Sequence, residues 1–441
     1  MSRSLRSRKG VAHWINAVRL GLGVASLVSV LTLGAVNLAG PAVEAATELD
    51  FYHAWAGKDA QVLQAVVDNF NRSHPQIKIR LIPNANLDKQ LVALASGAID
   101  IGYVGWNSVP SLVEKGAALP LDSFFSQPSA KLHPADFIPA ALELGQINGR
   151  QYGLPMTVDI KMMFYNMDIL DQLGLPIPET ANQFEAMQKR ALLKDGQGKI
   201  TRLGFLPEYP WLSVGLWELV FGGRYYDAAK KQVTPDDPRN ILGIRFMTFP
   251  YQTFGYEAVR AFQQSWGGYW TNTDPFVTER LVSTADGEWL PLMLRDLASH
   301  MRYQITPLPY PDDRPDLKYG SLIEPGMLFI ASGTKHAQEA WEFVQYLDSA
   351  EQTVQICAAK GSLPHLRTVL DDARLWTGTA PGMKEFVWYL HSPNMHTFPN
   401  LTITSKYMSA IWTELQAVFA GKQTPEAAMQ KVKEQIQPLL R

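Results

Sequence analysis

The sequence predicts an α/β protein whose domains are built on mostly parallel sheets. Three observations carry this expectation. Extended apolar runs alternate with helical stretches from Leu49 to Gly116, at the spacing of β-α-β units. The chain has 441 residues, enough for two domains. It is 46% hydrophobic and 19% charged, the balance of a folded globular chain.

The elements follow in order. Leu49 to Trp55 is an extended apolar run. Lys58 to Asn71 places Val62, Leu63, Val66, Val67 and Phe70 on one helical stripe, with Pro75 just past its end. Ile77, Ile79 and Leu81 alternate with Lys78 and Arg80, the pattern of a half-buried strand. Leu87, Leu91 and Leu94 mark a helix closed by Gly97, and Asp100 to Trp106 is again a strand. Asn107 or Ser108 can cap the helix that closes at Gly116. Gly153-Leu154-Pro155 reads as a turn, Lys161 to Tyr165 as a buried strand, and Met167 to Leu173 as a short helix closed by Gly174. Pro178 to Leu192 is a helix capped by Thr180, Tyr303 to Leu308 and Met327 to Ala331 are strands, and His336 to Ser349 is an amphipathic helix. The last helix has Thr424 as its cap and Pro425 at its first position.

Several classes are excluded or disfavoured. Residues 1–45 carry five basic residues and one acid, and an uncharged stretch runs from Leu20 to Gly40. Val43-Glu44-Ala45 then offers small residues at the −3 and −1 positions of a cleavage site. This is expected to be a cleavable export signal, with an uncleaved anchor as the alternative; no Cys stands near it to carry a lipid. Without that segment the chain holds 35 basic and 41 acidic residues, which argues against nucleic acid. Cys357 is the single cysteine, so no intramolecular disulfide can form. No Gly-Lys-Ser/Thr phosphate loop and no Gly-x-Ser-x-Gly elbow occurs, and the histidines lack zinc spacing. Ser332 and Lys335 form a Ser-x-x-Lys in a polar turn, too short a pattern to carry catalysis.

Ligands of open parallel sheets sit beyond the carboxyl ends of strands. Trp55 and Trp106 lie at such ends. Indoles present a flat apolar face with one N–H donor, and carboxylates accept from hydroxyl pairs, the chemistry a neutral sugar requires. Each tryptophan has a core reading as its alternative; Trp289, Trp341, Trp388 and Trp412 read as core. Asp159 is an acid in an otherwise apolar approach to a strand, either a solvated turn residue or a ligand contact.

Pro155, Met156, Thr157, Met163, Phe164, Tyr165, Asn166 and Leu170 match a signature that resembles bacterial extracellular solute-binding protein family 1, the sugar-type receptors of ABC importers. Met162 and Gln172 depart from it. A second stretch, Gly326 to Gln352 with Gly361, Leu363 and Pro364, resembles the same family. The resemblance implies a two-lobed periplasmic-binding-protein fold, each lobe a mostly parallel sheet flanked by helices and joined by a hinge. It implies residues 46–155 and 308–350 in lobe I, and 156–307 and 351–441 in lobe II. It also implies a periplasmic monomer that works with the transmembrane permease subunits of an importer, without cofactor, metal or catalysis.

By resemblance, Trp211 before Gly222-Gly223 is a stacking position. Arg295-Asp296 stands where relatives often have Gly-Ser-Trp, with Leu297 in place of the Trp. Glu324-Pro325-Gly326 occupies the place of a Gly-rich ligand loop, and Gly361-Ser362 resembles a second-lobe contact loop. The expected ligand set is thus Trp55, Trp106, Asp159, Trp211, Gly223, Asp296, Glu324, Gly326 and Ser362. His53 with Gly57, and GKQTPEAAM near the end, are shared with glycerol-phosphate receptors; where those hold phosphate with Arg, this chain aligns Asn400. The expected ligand is therefore a small neutral sugar, oligosaccharide or glycosylated polyol. A phosphorylated-polyol receptor and an exported carbohydrate-active enzyme are the rivals.

Overall fold

Two sheets organise the chain, and each draws strands from distant parts of the sequence. The computed structural model describes residues 46–210, 214–379 and 381–440; the expected export signal and Trp211 lie outside them. Strands β1 (Thr47–Tyr52), β2 (Ile77–Ile82) and β3 (Ile101–Gly105) are parallel, linked by helices α1 (Gly57–Ser73) and α2 (Leu87–Ser96). Helix α1 buries Leu63, Val66, Val67 and Phe70, the stripe read from the sequence. Asn86 caps α2 through Lys89 N, and Gly97 closes it in a left-handed conformation. Neither Asn107 nor Ser108 caps with its side chain; a 3₁₀ turn at Trp106–Ser108 leads into the next helix instead.

Five longer strands follow: β4 (Leu154–Asp159), β5 (Met162–Asn166), β6 (Ser283–Asp286), β7 (Tyr303–Thr306) and β8 (Glu324–Ile330). The first sheet has the order β2-β1-β3-β8-β4, with β8 antiparallel to both neighbours. The second has the order β6-β5-β7, with both outer strands antiparallel to β5. The fold is the expected two-lobed α/β arrangement, but within these two sheets the parallel neighbours are only β1 with β2 and β1 with β3. The reason is connectivity. Strand β5 is the outgoing crossing strand, whereas β6 and β7 are made inside the second lobe, joined through a helix, and share one direction opposite to it.

Gly153-Leu154-Pro155 is not a turn. Leu154 and Pro155 open β4, an edge strand of its sheet, where a residue without N–H is tolerated. Glu324-Pro325-Gly326 is likewise strand rather than loop. The chain changes sheet between Asp159 and Met162, and returns near Ser321–Glu324. It crosses again near Leu363, which bridges to Val158. The expected bound at 155/156 falls inside β4, and the one at 307/308 directly after β7. The one at 350/351 falls at the start of a helix, Ala350–Lys360, that packs on α1.

Aromatic side chains fill both cores. Phe51, Phe70 and Phe343 pack edge-on in the first lobe, and Phe184, Phe205, Trp217 and Phe246 cluster in the second. Trp341 is fully buried as expected, but Trp388 and Trp412 are exposed by 59% and 39%. Among the described residues, no helix is long and apolar enough to cross a membrane.

Candidate ligand-binding site

Strands β4 and β8 end side by side where the chain leaves and re-enters the first sheet. Their register sets Asp159 opposite Glu324, Val158 opposite Pro325 and Thr157 opposite Gly326. Two carboxylates facing each other across a strand pair repel, so the arrangement calls for a cation. Lys161 supplies it. Its Nζ lies 3.9 Å from Glu324 Oε2 and 4.4 Å from the centroid of the Trp289 ring. Lys161 is buried, and its backbone is pinned: its N–H donates to Ser321 Oγ at 3.1 Å, and that hydroxyl donates back to Lys161 O at 2.9 Å. One serine thus ties the outgoing crossing to the returning one.

The second-lobe wall follows β6. After Asp286 come Gly287, Glu288 and Trp289. A Cβ at position 287 would overlap the Trp289 ring, so the indole lies close over the backbone only because glycine is there. Trp289 Nε1 donates to the Tyr269 hydroxyl at 2.7 Å, which donates to Asp286 Oδ2 at 2.9 Å. Burial pushes the Asp286 carboxyl up to about 7, with the Lys161 charge pulling the other way. Glu288 is fully buried. Its desolvation, and then the neighbouring Asp159 charge, hold its carboxyl well above the ordinary range.

The first-lobe wall is aromatic. The Trp55 and Tyr103 rings meet edge to face at 5.4 Å, and the Tyr103 hydroxyl is hydrogen-bonded to Thr157 Oγ1 at 2.9 Å. That hydroxyl fits because residue 326 is glycine; a Cβ there would overlap it. His53 is buried and neutral, its pKa lowered by burial to about 4, and its Nδ1 accepts from Trp55 N at 3.1 Å. Lys360 Nζ lies 5.1 Å from the Trp55 ring centroid, donates to Ser362 Oγ at 2.7 Å, and is 3.8 Å from Asp59 Oδ2.

The structure therefore brings Asp159, Glu324 and Gly326 together on one strand pair, and links Trp55 to Ser362 through Lys360. Trp106 is buried, its ring 6.5 Å from Phe398 at the contact between the lobes. Gly223 is buried against Asn240 inside the second lobe, away from the crossings. Asp296 is exposed and paired with Arg295 at 2.9 Å. Trp211 lies outside the described residues. Sequence reasoning passed over Tyr103, Lys161, Tyr269, Asp286, Glu288 and Lys360, and it read Trp289 as core, whereas that residue is only partly buried. A signal for Trp289 was present: like Trp55 it follows a strand, and it closes a Gly-x-Trp at 287–289, upstream of the place where one was sought. Among the described residues, no group of three or more His, Cys, Asp or Glu is placed to hold a metal ion.

The family model for bacterial extracellular solute-binding proteins matches residues 54–354. The chain belongs to that family. It is 23% identical over 376 residues to a multiple sugar-binding protein of Streptococcus mutans, covering 81% of this chain and 84% of that one. It is 20% identical over 437 residues to an sn-glycerol-3-phosphate-binding periplasmic protein of Pectobacterium atrosepticum, covering 92% and 94%. Among solved structures, CpMnBP1 with mannobiose bound superimposes with a TM-score of 0.72 at 22% identity, over 88% of this chain and 99% of that one. A Listeria monocytogenes substrate-binding protein in complex with cycloalternan gives 0.71 at 18%, over 89% and 99%. These likenesses establish the two-lobed fold.

Proposed function

We propose that the protein is the extracytoplasmic receptor of an ABC importer, binding a small neutral sugar, oligosaccharide or glycosylated polyol between its lobes. One observation carries this: the strand pair bearing Asp159 and Glu324 meets Tyr103, against which the first-lobe indole Trp55 packs, and Lys161, which lies over the second-lobe indole Trp289. Indole faces suit the C–H surface of a sugar ring, and carboxylates suit its hydroxyls. Lobes hinged at such a crossing close over a ligand. Trp55, Asp159, Glu324 and Ser362 are the contacts we retain from the sequence, joined by Lys161 and Trp289.

Charge and geometry favour this reading over its rivals. The carboxyls of Asp159 and Glu324, set opposite one another on the strand pair, oppose a phosphate. The amide of Asn400 is already engaged, donating to Leu144 O at 2.6 Å and Gln146 O at 3.0 Å. Asp159 and Glu324 stand beside each other on one strand pair, whereas glycoside hydrolysis places its carboxyls on either side of a bond. The same reading takes residues 1–45 as a signal removed after Ala45, the mature chain as a periplasmic monomer, and permease subunits as its partners.

Calorimetry with mannobiose, maltose, arabinotriose and sn-glycerol 3-phosphate tests it, with chromatography of the sugars afterwards. Binding of a neutral sugar that is recovered intact is expected. Tighter binding of glycerol phosphate, or cleavage of the sugar, would overturn the reading.

A further inference from the structure

Glu288 is an acid at the crossing with no evident structural task. It is fully buried, and neither carboxyl oxygen makes a hydrogen bond of normal geometry. Native proteins rarely leave a buried polar group in that state without a functional reason. The residue comes from the second lobe: Asp286 pairs antiparallel with Met162, so Glu288, two residues on, lies beside the crossing segment that carries Asp159, whose charge acts on it. Asp159 is partly exposed, which gives the pair one open side.

We propose that Glu288 and Asp159 together form a two-carboxyl receptor for a hydroxyl pair of the sugar, with Glu288 its specificity-determining member. The inference rests on the neutral-sugar reading above. Two carboxyls this close in a site shielded from water cannot both ionise. Glu288, the fully buried member, is the one that keeps its proton. The pair then offers a donor and an acceptor side by side. A vicinal diol can accept from Glu288 and donate to Asp159. A phosphate or carboxylate meets the Asp159 charge and is rejected. The other charged or titratable groups facing the pair are Lys161 and Glu324 at the crossing, Asp286 beneath Trp289, and Cys357 with Lys360 on the helix behind Trp55. Lys161 Nζ is engaged with Glu324 and Lys360 Nζ with Asp59, and the Lys161 charge opposes the effect of burial on Glu288 without cancelling it.

Glu288→Gln keeps a donor without a titratable proton, and Glu288→Ala removes it. The probes are mannobiose and maltose, with sn-glycerol 3-phosphate as the anionic control. Glu288→Ala is expected to lose roughly three- to tenfold in affinity for the sugar that binds wild type, the size of one hydrogen bond between neutral groups. Its melting temperature without ligand should hold or rise, because an unpartnered buried acid is removed. Glu288→Gln should bind within a few-fold of wild type at pH 6. As pH rises, wild type should weaken while Glu288→Gln does not. Equal sugar affinity in wild type and Glu288→Ala overturns the inference and leaves the receptor reading standing. So does a fall in unliganded melting temperature in both variants, which would mark Glu288 as structural. If wild type responds only to glycerol phosphate, or to none of the three, the neutral-sugar reading fails and this inference with it.

Discussion

Asp286 shows how one residue couples the site to pH. It is buried, with its oxygens held by the Tyr269 hydroxyl and by Gly287 N–H at 2.8 Å, and its carboxyl titrates near 7 instead of near 3.8. Between those values the folded state binds more protons than the unfolded one, so folding stability falls as pH rises from about 4 to about 7. Asp286→Asn removes that dependence. Urea unfolding should show the variant gaining roughly 2–4 kcal/mol relative to wild type between pH 4 and pH 8. Parallel stability curves for the two proteins would place the titration elsewhere. The residue was invisible in the sequence for a physical reason. An aspartate in Ser283-Thr284-Ala285-Asp286 reads as a solvated strand end, and only the packing of Tyr269 and Trp289 over it removes the water.

At the scale of elements, the close approach of β8 to the Tyr103 ring is the tightest constraint. Gly326→Ala forces the Tyr103 hydroxyl away from Thr157 and disturbs the ring on which Trp55 rests. Overpacking of this kind costs about 1–3 kcal/mol. The expected outcome is a lowered melting temperature together with weaker sugar binding, measured on the same preparation by thermal unfolding and calorimetry. Unchanged binding would separate the Trp55 platform from the ligand.

What was legible at this scale follows from how local each signal is. Strands β1 to β3 and helices α1 and α2 were readable because their apolar periods and caps lie within the segments themselves. Strand β4 was not, since Gly-Leu-Pro carries turn chemistry and only its place at a sheet edge makes it a strand. The direction of β5 relative to β6 and β7 depends on where the chain crosses, which no local pattern records. The site was half legible for the same reason. Asp159 stood out as an acid among apolar neighbours and Glu324 as an acid where the resemblance expects a Gly-rich loop, but Lys161, Glu288 and Trp289 acquire meaning only when the two lobes are brought together.

For the whole molecule, the contact between lobes is closed by the segment that follows the third crossing. Phe398 packs toward Trp106, Asn400 donates to Leu144 O and Gln146 O, and Ser405 Oγ donates to Asn107 O at 3.0 Å. These bonds reach from the late part of the chain to the first lobe, so they bias the two lobes toward one another. Asn400→Ala removes two of them. Small-angle scattering should show a larger radius of gyration for the unliganded variant, with the wild-type value restored by saturating sugar. An unchanged radius would show that the clasp does not set the resting arrangement.

The place of β8 has a further consequence, for the order in which the chain can acquire structure. The first sheet is not completed by the segment that begins it. Its fourth position, between β3 and β4, stays vacant until Glu324–Ile330 has been synthesised, long after Leu154–Asp159. At ordinary translation rates that interval is roughly 10–30 s. Throughout it, β3 and β4 lack the strand that joins them, and the amino-terminal half holds only the three parallel strands β1–β3 of this sheet. Pairings between distant segments are slow to form in any case. The late arrival of its fourth strand thus leaves the first sheet incomplete while more than a third of the chain is being made.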